Sequence, residues 1–129
     1  MQQEKGFTLL ELIVVIIILG VLATLGFTQY TRMVERGRTA EAKVMLGQLR
    51  SAQVGYYQEY AAYGAAVSNL VVDVPTACLT THFFMYASDS ATGSTATRCT
   101  ATGKTPNSPT AYSITLTHVG VFGGTSGYY

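Results

Sequence analysis

The strongest constraint on this chain is an apolar run of 25 residues, Phe7 to Thr31, in which Glu11 is the one charged side chain. As a helix the run rises about 37 Å, enough to cross the ~30 Å hydrocarbon core of a bilayer with some tilt. A carboxylate embedded there costs on the order of 3 kcal/mol by insertion scales, so Glu11 needs a partner or a place at the headgroup interface. An ordinary secretory signal has a basic start, a shorter apolar core and a small-x-small cleavage site after it. Here the run is too long and passes into TLGFTQYTR, so that reading is disfavoured.

The 129 residues allow one domain plus at most an appendage. Hydrophobic residues make up 48% and charged ones 12%, with the apolar content concentrated in the first quarter and Thr, Ser, Ala, Gly and Tyr in the remainder. That is the profile of a membrane anchor carrying a modest polar head. A net charge of +1 leaves no bulk electrostatic footprint for nucleic acid, and no specific nucleic-acid site is identified.

Enzyme chemistry finds no support in the motifs. There is no P-loop, dinucleotide fingerprint or EF-hand loop. Gly123 to Gly127, GGTSG, lacks the G-x-S-x-G spacing of a nucleophile elbow. His82 and His118 stand beside apolar strand positions with no acidic or Cys partner nearby in sequence, so they are expected to be satisfied or exposed sheet histidines. No cofactor or metal site is expected.

In an oxidising compartment Cys78 and Cys99 are expected to form one disulfide closing a loop of about 20 residues, worth roughly 3 kcal/mol; the alternative is two unrelated buried thiols. The flanking charges conflict with an oxidised location. Lys5 is offset by Glu4, whereas Arg32, Arg36, Arg38 and Lys43 follow the apolar run, and the positive-inside rule taken alone puts the body in the cytoplasm.

Helical periodicity continues beyond the apolar run. Ala42, Met45, Leu49, Ala52, Tyr56 and Tyr60 form one stripe, and Lys43, Arg50 and Glu59 fall largely elsewhere, predicting a single helix from about Phe7 to about Tyr60. Gly20, Gly26, Gly37, Gly47 and Gly55 weaken it by roughly 1 kcal/mol each relative to Ala. Residues 63–78 read as a connecting segment, HFFMYA (82–87) as a strand, SDSATGSTATR (88–98) as a turn with a polar excursion, and TGKTPNSPT (102–110) as a Pro-containing loop. AYSITLTHV (111–119) reads as a half-buried strand with Tyr112, Ile114 and Leu116 on its inner face. The tyrosines at 56, 57, 60 and 63 are expected to pack against the sheet, and Tyr128 and Tyr129 are either exposed or folded back as a last strand.

A short leader ending in Lys5-Gly6, then Phe7-Thr8-Leu9-Leu10-Glu11 and a long apolar helix, strongly resembles the class III signal of type IV pilins and the related type II secretion pseudopilins. The resemblance implies an α+β pilin fold, one long helix packed on a small antiparallel sheet of three or four strands. It divides the chain into a leader (1–6), a membrane and filament-core half-helix (7–31) and a globular head (32–129). It implies cleavage between Gly6 and Phe7 by a prepilin peptidase on the cytoplasmic side, N-methylation of Phe7, and a head facing the periplasm or cell exterior, which resolves the charge conflict because dedicated machinery reads the leader.

The same resemblance implies that the precursor resides in the inner membrane and that an assembly platform polymerises it into an extracellular homo-oligomeric filament for motility, adhesion or DNA uptake. Glu11 of an incoming subunit would meet the Phe7 amine of a neighbour, since either charge left unpaired in an apolar bundle is costly. Two features depart from the family pattern: Thr28 stands where a proline is common, leaving Gly20 and Gly26 to supply any local weakening, and Cys78 and Cys99 end well before the C-terminus. Secretion pseudopilins often bind calcium through acidic loops, and only Asp73 and Asp89 are available, which favours a pilin over a pseudopilin. The remaining alternative is a bitopic anchored binding protein or enzyme.

Overall fold

The computed structural model describes residues 6–125, 127 and 128. Residues 1–5, which make up most of the leader expected at 1–6, lie outside the described residues, as do Ser126 and Tyr129. The elements are helix α1 (Leu9–Tyr60), a short 3-10 turn (Val67–Asn69) and strands β1 (Phe84–Asp89), β2 (Gly93–Arg98), β3 (Ser113–Leu116) and β4 (Phe122–Gly124). Contacts divide the chain into two compact units, ending and beginning at Val34 and Glu35.

In the first unit, α1 exposes every side chain from Leu9 to Met33. Its apolar window has a mean hydropathy of 2.8, so the helix is long and apolar enough to cross a membrane. Three threonines within it are satisfied locally: Thr24, Thr28 and Thr31 donate their hydroxyls to the Val21, Leu25 and Thr28 carbonyls at 2.8, 3.0 and 3.0 Å. Such back-bonding lets a threonine reside in a span without an orphaned donor. The helix is unbroken at Gly20 and Gly26.

In the second unit, α1 buries Thr39, Ala42, Leu46, Leu49 and Gln53, at steps of three and four. This stripe is rotated from the expected one. Leu46 and Gln53 replace Met45, Ala52 and Tyr56, which are half-buried at its edge, and Tyr60 is exposed. The stripe packs on an antiparallel sheet of order β1-β2-β3-β4, and the core joins it to Phe84, Tyr86, Ala96, Ile114 and Leu116. Burying a Leu or Ile of this kind contributes about 1.5–3 kcal/mol. Tyr112, Ile114 and Leu116 do share the buried face, while Ser113, Thr115 and Thr117 are half-buried.

The stretch read as a turn with a polar excursion, residues 88–98, is instead the end of β1, the β1–β2 turn and the whole of β2, an inner strand of the sheet. Its pattern is masked because Ser94, Ala96 and Arg98, rather than large apolar groups, are the buried residues alternating with Thr95 and Thr97. Asp89 accepts the amides of Ala91 and Thr92 at 2.6 and 3.0 Å, closing the turn, and those two bonds hold its carboxyl below the usual carboxylate range. At Gly93, φ is +114° and a Cβ would collide with the Leu116 carbonyl oxygen, so only glycine passes there.

Strand β4 had no hydrophobic alternation to announce it, being built from Phe122 and two glycines. Tyr128, rather than adding a strand, stacks on Tyr112 with ring centroids 4.0 Å apart. Cys78 and Cys99 are bridged, and they bracket the complete β1–β2 hairpin rather than one strand and a turn.

Candidate functional site

Gly6, Phe7 and Thr8 precede the first helical residue, Leu9, and all three are exposed, Phe7 at 85%. A Cβ added at Gly6 would meet nothing within 4 Å. Packing against the described residues therefore does not require glycine at that position.

Thr8 and Glu11 form a reciprocal helix cap. Oε2 of Glu11 accepts the Thr8 amide at 2.9 Å and the Thr8 hydroxyl at 2.7 Å, while the Glu11 amide donates to Thr8 Oγ1 at 3.3 Å. This T-x-x-E arrangement satisfies donors that the first turn of any helix leaves open. Sequence reading overlooked Thr8, although the spacing Thr8-Leu9-Leu10-Glu11 carries the signal. Within the chain it is Thr8 that engages Glu11, and it does so through one carboxylate oxygen; among the described residues Oε1 accepts no hydrogen bond. The carboxylate is thus oriented at the helix start by Thr8, and the side chains that follow it along the helix as far as Ala23 are apolar and exposed.

A second polar cluster, unforeseen in the sequence, ties α1 to the sheet within the second unit. Arg98 is 1% exposed. Its Nε donates to Glu35 at 3.1 Å, and its terminal nitrogens donate to Glu35, Phe83, Cys99 and Pro106. These bonds use all five guanidinium donors. Glu35 also accepts the Tyr112 hydroxyl at 2.9 Å and pairs with Arg38. Burial opposes the Glu35 charge, but the bonds from Arg98 and Tyr112 and the two guanidinium charges outweigh it and hold the carboxyl below its ordinary value. Burial, then the Glu35 carboxylate, pushes the Tyr112 hydroxyl up. Gln53, fully buried, clamps the chain after the helix: its amide nitrogen donates to the Gly64 carbonyl and its oxygen accepts the Gly64 amide, both at 2.8 Å.

The other candidates have local roles. His118 stacks on Tyr63 at 3.6 Å between centroids and its ring nitrogen contacts the Ser90 carbonyl at 3.2 Å, while His82 bonds the Thr81 hydroxyl. Asp73 is exposed. Among the described residues no three His, Cys, Asp or Glu side chains gather as a metal site would require.

A long N-terminal helix, apolar through its first half, with a four-stranded antiparallel sheet on its second, defines a pilin-like α+β protein. The model for the prokaryotic N-terminal methylation motif matches residues 1–27. The chain is 35% identical over 57 residues to the type IV major pilin protein of Myxococcus xanthus, 44% of this chain and 26% of that protein. It is 40% identical over 58 residues to a fimbrial protein of Eikenella corrodens, covering 45% and 38%. With the type IV major fimbrial protein of Dichelobacter nodosus it shares 39% over 49 residues, covering 38% and 31%. The matches thus span between about a quarter and two-fifths of these relatives' length. Over these stretches the chain is thus similar to type IV pilins and fimbrial proteins, and its first 27 residues match the N-terminal methylation motif.

Proposed function

We propose that the protein is a structural, non-catalytic subunit of a type IV pilus. Residues 1–6 are the leader, residues 7–31 anchor the precursor in the inner membrane, and residues 32–129 form a periplasmic head. A prepilin peptidase cuts between Gly6 and Phe7 and methylates the new Phe7 amine, after which an assembly platform packs the subunits into an extracellular filament. The apolar helices then exchange lipid contacts for contacts with their copies, so specificity has to come from close packing and from polar pairing.

The observation that carries this reading is the cap at the helix start. Among the described residues Thr8 holds Glu11 through Oε2, which leaves Oε1 to the methylated Phe7 amine of a neighbouring copy once the leader is removed. In an apolar bundle a cation at that position matches a charge that is otherwise expensive to bury, and the pair sets the axial register of the incoming subunit.

Mass spectrometry of the N-terminus tests the reading. The unsubstituted protein should begin with N-methylated Phe7 and appear in the sheared surface-filament fraction. Gly6→Val should remain as full-length precursor in the membrane, with an unchanged head because a Cβ at Gly6 meets none of the described residues. Normal processing of Gly6→Val, or surface filaments that persist after deletion of the chain while protein secretion fails, would sink it, the latter in favour of a secretion pseudopilus.

A further inference from the structure

We propose that the head binds a second copy of itself head to tail, through an apolar knob and an apolar groove on opposite flanks, a contact separate from that of Glu11. The proposal rests on reading the chain as a polymer subunit. The knob is the turn between β3 and β4. Thr117 donates its amide to the Val121 carbonyl, Gly120 donates to the Thr117 carbonyl, and Val121 donates to the Thr117 hydroxyl, each at 3.0 Å. This tight ring projects Val119 and Val121, 80% and 61% exposed, beside the half-covered Phe122. Two cations border it: Arg50 donates Nε to the His118 carbonyl at 2.9 Å, and the Lys43 ammonium lies 5.8 Å from the Phe122 ring centre.

The groove, about 360 Å³, is lined by Ala52, Gly55, Tyr56, Tyr60, Asn69 and Val71, with Glu59 as its charged residue. Tyr56 and Tyr60 stack at 4.5 Å and form one wall, and Val71 is fully exposed. Its volume is at the small end for a ligand pocket, and Glu59 and Asn69 are the polar residues of its lining besides the two tyrosines, which suits protruding side chains flanked by cations. With about 100° between successive helix residues, Ala52 and Gly55 lie roughly 160° and 140° around α1 from Arg50. Knob and groove therefore face opposite ways and cannot meet within one copy. An apolar knob ringed by cations complements an apolar groove holding a carboxylate, and such a heterologous contact propagates instead of closing into a dimer.

Cysteine cross-linking in cells expressing the full chain tests this. Val71→Cys with Val119→Cys in one chain should give a ladder of dimers, trimers and longer species on mild copper-catalysed oxidation, with peptide mapping joining positions 71 and 119 and the Cys78–Cys99 bridge retained. Each single substitution should stay monomeric. Absence of a ladder from both membrane and sheared fractions overturns the contact, as do dimers from Val119→Cys alone. Filament formation by the unsubstituted chain is scored separately: filaments without a ladder remove the contact and leave the pilus reading, whereas a ladder without filaments does the reverse. If the double variant does not accumulate, Glu59→Lys replaces it. It should lower the filament-to-membrane ratio several-fold, with recovery on adding Lys43→Glu, and an unchanged ratio overturns the contact.

Discussion

Glu35 on α1 and Arg98 at the end of β2 form an ion pair, Nε to Oε2 at 3.1 Å, across 63 positions of sequence, with the arginine side chain wholly buried. Removing a partner from such a pair leaves a buried charge, which costs more than the pair contributes. Glu35→Gln is expected to destabilise the head by about 2–3 kcal/mol, toward the lower end for buried pairs because Glu35 keeps some solvent contact. The urea midpoint of the detergent-solubilised chain, followed by circular dichroism, measures it; a shift under 0.5 kcal/mol would show the pair to be inert.

The same pair gives the head an acid limit. The folded chain holds Glu35 below its ordinary carboxyl value, so the unfolded chain takes up the proton first as pH falls. The contribution is complete above the unfolded value of about 4.3 and is lost progressively as pH drops through the lower folded value. The urea midpoint should be level from pH 7 to 5 and fall below about 4. In Glu35→Gln the fall should shrink to the part contributed by Asp89, whose carboxyl is also depressed.

Gln53→Leu keeps volume but abandons both backbone groups of Gly64. Each buried group left unpaired costs about 1–3 kcal/mol. In Gln53→Leu the Gly64 amide should lose hydrogen-exchange protection by at least tenfold, whereas Gln53→Glu, whose carboxylate still accepts the amide but cannot donate to the carbonyl, should retain part of it. Retained protection at Gly64 would count against the clamp.

Replacing Cys78 and Cys99 by serine should cost roughly 3 kcal/mol from the freed 21-residue loop. Since the bridge spans the β1–β2 hairpin, the loss should appear as faster proteolysis of residues 79–98 relative to α1. Equal rates with and without reductant would exclude this role.

Thr8→Ala removes the reciprocal cap and should fray the first turn, at a cost of about 1 kcal/mol, whereas Thr8→Ser should preserve it. Exchange of the Leu12 amide, which donates to the Thr8 carbonyl at 3.3 Å, reads the effect in bicelles. Under the pilus reading Thr8→Ala should also slow assembly, because Glu11 then loses its fixed orientation.

Much of the architecture was legible because its signals are local. The Phe7 to Thr31 run declares itself through length and hydropathy, and Tyr112, Ile114 and Leu116 declare a strand through alternation. The helix stripe was legible only approximately, since steps of three and four accommodate either Met45 or Leu46, and the packing partner decides which faces inward. β2 was hidden because its inner positions carry Ser94 and Arg98, polar residues that pattern reading assigns to loops. At the candidate site Glu11 stood out as a charge in an apolar run, yet Thr8, its cap, was passed over despite a recognisable spacing.

Hydrophobicity and short-range spacing act between neighbours in the chain, so sequence alone carried the apolar helix, the leader motif, the α+β class and the pairing of two cysteines as an expectation. Which polar side chains are buried is a different matter. Arg98 can reside in the core only because the fold brings Glu35, Phe83, Cys99 and Pro106 to its five donors, and Gln53 can do so only because Gly64 returns to meet it. Desolvating such groups is favourable or ruinous according to partners far away in sequence, and that balance exists only once the chain has packed.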